Sequence, residues 1–183
     1  MEPILQTSRL LLREMTEDDL PALRSILQDP QVMYAYEHAF SEDEVRAWLA
    51  KQRRRYAEDG FGLWAMVLRQ TGAMIGQCGL TWQDRGDGTR CVEVGYLLQR
   101  AFWHQGYATE AATACKAYAF QALGLDEVCS IIRDNNLASQ AVARRNGMTV
   151  TGRLVKHYYG MDMPHLVFSV RRDGRQGRTA VVG

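Results

Sequence analysis

The sequence predicts a mixed α/β domain: a mostly antiparallel sheet of seven strands with one parallel pair at its middle, flanked by helices. Three features predict it. An apolar run from Val92 to Leu98 is followed by a helix-like pattern as far as Leu123 and then by a second apolar run, Glu127 to Arg133. A crossover of that length joins parallel strands and is right-handed. Leu63–Leu68 and Ala73–Trp82 flank Gln70-Thr71-Gly72, which reads as a hairpin turn. Val150–His157 and Leu166–Arg171 read as two final antiparallel strands.

The remaining elements follow in order. Leu10-Leu11-Leu12 is the first strand. Thr16-Glu17-Asp18-Asp19 supplies a cap and first-turn acids for a helix in which Leu20, Leu23, Ile26 and Leu27 recur at helical spacing, and Asp29-Pro30 ends it. Ser41 and Glu44 form a capping box. The helix they open turns Val45, Trp48, Leu49 and Tyr56 inward. Its other face carries Lys51, Arg53, Arg54 and Arg55, either a solvated face or a docking patch for an acidic acceptor. Asp84 to Gly88 is a turn before the strand Thr89–Leu98. The helix from about Gly106 to Leu123 carries Ala111, Cys115, Tyr118, Ala119 and Ala122 on one stripe, small enough for close packing on the sheet. A short helix from Leu137 to Arg145 ends at Gly147.

A length of 183 residues suits one domain, expected at 1–172, with a basic tail at 173–183; Arg172 to Gly183 reads as frayed, its Arg172, Arg175 and Arg178 either solvated or touching RNA. A formal net charge of +1 supplies no bulk attraction to nucleic acid or an anionic membrane. No apolar run approaches the length of a spanning helix, and MEPILQTSR lacks the basic-then-apolar layout of a signal peptide, so a cytoplasmic protein is expected. Cys78, Cys91, Cys115 and Cys129 are scattered through apolar stretches with no zinc spacing, which predicts buried reduced thiols and no metal.

Two stretches carry chemistry. In the first, Val92 to Ala112, a strand runs through a short connector into Gly106-Tyr107-Ala108-Thr109 and a helix. The first N–H groups of a helix lack internal partners, and with the helix dipole they form an anion site. Glycine lets a phosphate approach those amides, although Gly-x-small at such a turn also serves plain packing. In the second, Val128 to Met148, a strand is followed by Asn136-x-x-Ser139 and a helix ending at Asn146-Gly147.

Together these stretches resemble the GNAT superfamily of N-acetyltransferases, in which Gln/Arg-x-x-Gly-x-Gly/Ala grips the pyrophosphate of acetyl-coenzyme A. Here the pattern is Trp103-His104-Gln105-Gly106-Tyr107-Ala108, a departure only at Trp103. Thr7 to Arg13, Ile75 to Leu80, Glu93 to Tyr96 and Met163 to Ser169 are similar to the branch containing the ribosomal-protein N-terminal acetyltransferases. The resemblance implies a sheet whose parallel pair is splayed, with pantetheine lying between the strands. It implies acetyl-CoA as cosubstrate, held by Leu97, Leu98, Trp103 to Thr109, Asn136 and Ser139, with Asn135 a competitor for Asn136. The implied reaction is direct transfer of acetyl to a primary amine, on a protein N-terminus or a small molecule, by a monomer or homodimer.

Transfer to an amine needs a base, an oxyanion donor and an acid. Glu93 interrupts the apolar pattern of its strand and shares a face with Gly95 and Leu97, about 13 Å from Leu97 by strand rise. It is read either as a base acting through water or as a structural carboxylate. The N–H of Leu97 or Leu98 is the oxyanion candidate. The position where the superfamily often places an acidic tyrosine is Ala143, which leaves Ser139, Tyr158 or Tyr159 as donors. Arg144 or Arg145 is expected either at the ribose phosphate of coenzyme A or simply at the surface. Tyr34, Tyr36, Phe40 and Trp48 are expected to wall the acceptor side, with His38 and His165 as further cleft candidates. A non-catalytic acyl-CoA-binding module is the alternative. An unrelated nucleotide enzyme is disfavoured, because there is no Gly-x-x-x-x-Gly-Lys-Ser/Thr and Gly60-x-Gly62 lacks a third glycine.

Overall fold

In this computed structural model, which describes residues 2–158 and 160–173, the chain forms β1 (Leu5–Gln6), β2 (Leu10–Arg13), α1 (Leu20–Leu27), α2 (Glu42–Asp59), β3 (Leu63–Leu68), β4 (Met74–Asp84), β5 (Arg90–Leu98), α3 (Tyr107–Gln121), β6 (Glu127–Arg133), α4 (Leu137–Arg145), β7 (Thr149–Tyr158) and β8 (Met161–Arg171). One eight-stranded sheet runs in the order β1-β2-β3-β4-β5-β6-β8-β7. Every neighbouring pair is antiparallel except β5 and β6. The expected seven strands are therefore present with one addition. β1 has two residues, paired Leu5 with Leu12, and is too short to show a sequence period.

The two faces of the sheet hold different layers. Trp64, Met66, Val92, Val94 and Leu98 pack under α3, whose Ala111, Cys115 and Ala119 are fully buried. Leu63, Ala65 and Val67 pack on the opposite face against Leu23 and Ile26 of α1 and Val45 and Leu49 of α2. Period two in β3 thus feeds both layers, which is why that strand reads as one unbroken apolar run. Gly79 of β4 is required by crowding: a Cβ there would lie 2.0 Å from the Gly62 carbonyl.

α2 starts as its capping box dictates, with Ser41 Oγ accepting the Glu44 N–H at 3.3 Å and Glu44 accepting the Ser41 N–H at 2.7 Å. Gln52, buried on the inward face, accepts the Leu63 N–H at 3.1 Å and so fixes the helix against β3.

Three expectations are corrected. β8 begins at Met161 rather than Leu166, and it pairs Tyr158 with Met161, so Tyr158 ends a strand instead of lying in a loop. Pro164 and the polar residues around it hide the period there, yet the Pro164 carbonyl still accepts the Asp134 N–H at 3.0 Å. Arg172 is held rather than frayed, its guanidinium on Asp126 at 2.8 Å; Arg175 and Arg178 lie outside the described residues. The third concerns the thiols. Cys78 and Cys115 are free and buried as expected, but Cys91 and Cys129, 38 residues apart, are joined in a disulfide. The parallel pairing of β5 with β6 brings their Cα atoms to 6.3 Å, within bonding range.

Candidate active site

The parallel pair is a fork. β5 and β6 share one register pair, Glu93 with Cys129, and then diverge. Backbone groups at the parting are taken by side chains. Glu93 Oε2 accepts the Ile131 N–H at 2.8 Å, and Ser130 Oγ donates to the Val94 carbonyl at 2.7 Å. Further out, Tyr96 Oη donates to the Ser139 carbonyl at 2.6 Å, from β5 across to α4. The Cys91–Cys129 bond closes the base.

Backbone direction on β5 follows from its neighbours. The Gln99 N–H goes to Ile75 of β4, whereas the Val94 carbonyl faces β6. By period two, even-numbered residues of β5 turn their amides and carbonyls toward the fork. Leu98 therefore presents its backbone to the slot, whereas Leu97 commits its backbone to β4 and lends its side chain to the cavity wall. Trp103, the one departure from the phosphate motif, donates Nε1–H to the Leu98 carbonyl at 3.2 Å and so ties the strand end to the turn.

The turn itself makes a cradle. His104 has φ 59° and Gly106 has φ 80°, both left-handed. The residue after Gly106 opens α3, and the first intrahelical bond is the Glu110 N–H to the Gly106 carbonyl. The amides of Tyr107, Ala108 and Thr109 therefore point out of the helix start. Arg9 borders them. Its Nη2 lies 3.4 Å from the position a Cβ on Gly106 would take, its Nη1 donates to the Gln105 carbonyl at 2.9 Å, and its guanidinium stacks 4.2 Å over Tyr107. Glu110 anchors this arginine at 2.6 Å and also accepts from the Thr7 and Ser8 hydroxyls. The Thr7-Ser8-Arg9 stretch thus serves the cradle from more than 90 residues away in sequence.

On the α1–α2 face the fork opens into a cavity of about 480 Å³. Glu93 and Leu97 form its floor; Phe40 and Trp48 wall one side, and Tyr158 and His165 of the β7–β8 hairpin wall another. Phe40 packs edge-on against Trp48 and Tyr36, at 5.6 and 6.4 Å between centroids. Lys51 and Arg55, four residues apart on α2, also turn into the cavity, as does Lys156 of β7. The basic face of α2 is thereby divided: Arg53 pairs with Glu17 at the surface, whereas Lys51 and Arg55 belong to the site.

Burial pushes the Glu93 carboxyl above its ordinary range, against the pull of Lys156, the Ile131 amide and Arg55. Burial also raises the Tyr36 hydroxyl, with Glu93 and Tyr158 adding to it, and raises Tyr96. Burial, together with Arg55, Arg54 and Lys156, lowers Lys51. His165 is lowered mainly by burial, while its Nδ1 bonds the Met163 carbonyl at 2.7 Å.

Most residues singled out in the sequence meet here. Glu93, Leu97, Asn136 and Ser139 line the one cavity, and Gly106 to Thr109 form the cradle at the far end of β5. Asn136 caps α4, its Oδ1 accepting from the Ser139 N–H at 3.1 Å and the Tyr34 hydroxyl at 2.8 Å, which leaves Nδ2 to donate to a ligand. Asn135 is exposed and does not line the cavity. Ala143 is buried in the core, and Arg144 lies over the Phe168 ring at 5.3 Å. Tyr159 lies outside the described residues. Lys51, Arg55 and Lys156 were not legible as residues of this cavity, because a charge on an amphipathic helix or an edge strand gives no sign of which neighbour it will face.

The comparisons with known proteins agree with this geometry. Residues 9–149 match the model of the acetyltransferase (GNAT) domain. The chain belongs to the GNAT family of acetyltransferases. It is 35% identical over 145 residues to the uncharacterized protein YkkB of Bacillus subtilis, covering 79% of this chain and 84% of that one. It is 33% identical over 158 residues to an FsC-acetyl coenzyme A-N(2)-transacetylase of Aspergillus fumigatus, covering 81% and 66%. A RimL ribosomal alpha-N-protein acetyltransferase in complex with coenzyme A shares the fold at TM-score 0.69 and 20% identity, covering 95% and 100%. The family takes acetyl-CoA, and the residues present fit it: outward amides and an arginine for phosphates, and an open fork for an extended chain.

Proposed function

We propose that this GNAT protein transfers acetyl directly from acetyl-CoA to a primary amine, on a small molecule or a protein N-terminus, without a covalent enzyme intermediate. The observation that carries this reading is convergence on one strand: β5 forms the fork with β6, sets the raised Glu93 carboxyl in the cavity, and leads at its end into the cradle. When bound, acetyl-CoA supplies the activated acetyl as a thioester.

The chain's own residues supply the rest. The cradle amides and Arg9 hold phosphate charge at the α3 start. The fork-facing amide of Leu98 is the donor for a carbonyl oxygen in the slot. Glu93, held by Ile131 and raised by burial, takes the ammonium proton through water, since a base works best near the operating pH. Ser139 and Tyr96, which meet at the fork's outer end, would be the donors for a departing thiolate. A thiol's ordinary pKa of about 8.5 makes such an acid helpful rather than essential.

A free-thiol release assay with acetyl-CoA and a panel of amines, polyamines, amino acids and short peptides tests the proposal. Release with one acceptor class supports it. Tight acetyl-CoA binding with no release on any acceptor would instead favour a binding module.

A further inference from the structure

Glu37, in the loop between α1 and α2, lines the acceptor cavity with Phe40 and Trp48. Both of its carboxylate oxygens are shut off from solvent, and neither has a hydrogen-bond partner. A carboxylate removed from water without a partner is costly, and folded proteins normally satisfy such groups. Neighbouring Glu44 is already engaged, by the Ser41 amide at the α2 cap and by His38 at 2.8 Å. Lys51, Arg55, Arg133 and Lys156 line the same cavity, yet none hydrogen-bonds to Glu37. A cation with N–H donors would satisfy Glu37, and the Tyr36, Phe40 and Trp48 rings line the same cavity. An amine acceptor at neutral pH arrives as that ion: an ammonium with up to three donors, attracted to carboxylate and to aromatic faces alike.

We propose that Glu37 is the residue that docks the acceptor's ammonium group, so that the cavity selects acceptors presenting an unhindered cationic amine. The inference rests on the acetyltransferase reading for its chemistry but not for its binding, and the two can fail separately. Glu37 orients the incoming amine as a positioning residue, and Glu93 on the floor is left to handle the proton.

The test has three arms. First, Glu37→Gln removes a desolvated charge, so the empty protein melts at a higher temperature than wild type, while KM for the preferred amine rises at least tenfold and by more than kcat falls. Glu37→Asp recovers part of the KM. Second, butylguanidinium, a cation that keeps N–H donors but is too weakly nucleophilic to be acetylated, competes with the amine in wild type and not in Glu37→Gln. Third, calorimetric titration of butylguanidinium into wild type, with no acetyl-CoA present, shows binding that Glu37→Gln abolishes. This arm reports even if no amine supports thiol release. Unchanged KM in Glu37→Gln, or equal binding of butylguanidinium by both proteins, overturns the assignment. So does a lowered melting temperature with parallel loss of kcat and KM, which would mark Glu37 as structural.

Discussion

Glu93 holds two jobs that a pair of substitutions separates. Its Oε2 accepts the Ile131 N–H at the fork, and its carboxyl is the proposed base. Glu93→Ala removes both and leaves a half-buried backbone donor unpaired, which costs about 1–3 kcal/mol. In a chain of this size each kcal/mol lowers Tm by roughly 2–4 °C, so the alanine variant should melt about 2–12 °C below Glu93→Gln, which loses the same charge. Glu93→Gln keeps an oxygen for Ile131 and loses only the proton chemistry. Its stability carries a sign that can be checked. Burial raises the folded pKa of Glu93 above its ordinary 4.5. The stability it contributes is therefore full below that ordinary value and is lost as pH rises through the raised folded value. At neutral pH wild type bears this cost and the glutamine variant does not, so Glu93→Gln should melt at or above wild type there, the gap closing in acid. Thiol release should nevertheless fall by about 10²–10⁴-fold, the usual range for losing a general base. Parallel melts and steady-state kinetics from pH 5 to 9 provide the assay. A glutamine variant that turns over at wild-type speed would refute the base assignment, and an alanine variant as stable as the glutamine variant would refute the structural one.

Other perturbations address the cofactor side. Gly106→Val places a β-branched residue at φ 80° and a side chain against Arg9, so coenzyme A affinity by calorimetry should drop at least tenfold, with about 1–3 kcal/mol of backbone strain showing as a lowered Tm. Arg9→Ala removes the cation beside the cradle and frees the Glu110 carboxylate at the α3 start; coenzyme A affinity should fall, and its salt dependence should weaken. Alkylation of the unreduced, denatured protein should label Cys78 and Cys115 and spare Cys91 and Cys129, and labelling of all four by mass spectrometry would contradict the bridge.

The sequence was most informative where structure is local. The bounds of β6 and α4, the capping box of α2 and the turn that opens α3 follow from runs, caps and a glycine, each decided within a few residues. What sequence reading missed depends on distance. Arg9 meets Glu110 across 101 residues, and Tyr34 meets Asn136 across 102. The disulfide needed the parallel pairing before its partners could be named. The first half of β8 was hidden by Pro164, although its pairing with β7 is continuous from Tyr158 to Lys156. Glu37 carries no motif or spacing that marks it in the sequence, because only the folded loop encloses its oxygens.

The stitched fork has a further consequence. Two diverging strands expose complementary donors and acceptors to each other, and bare edges of that kind tend to zip together. Here the Ile131 amide and the Val94 carbonyl are already spoken for, and Tyr96 spans the gap above them. The Glu93, Ser130 and Tyr96 side chains act as spacers that stop the sheet from healing across its own slot. The opening is thus written into the resting fold, and an incoming cofactor need not prise two strands apart to enter.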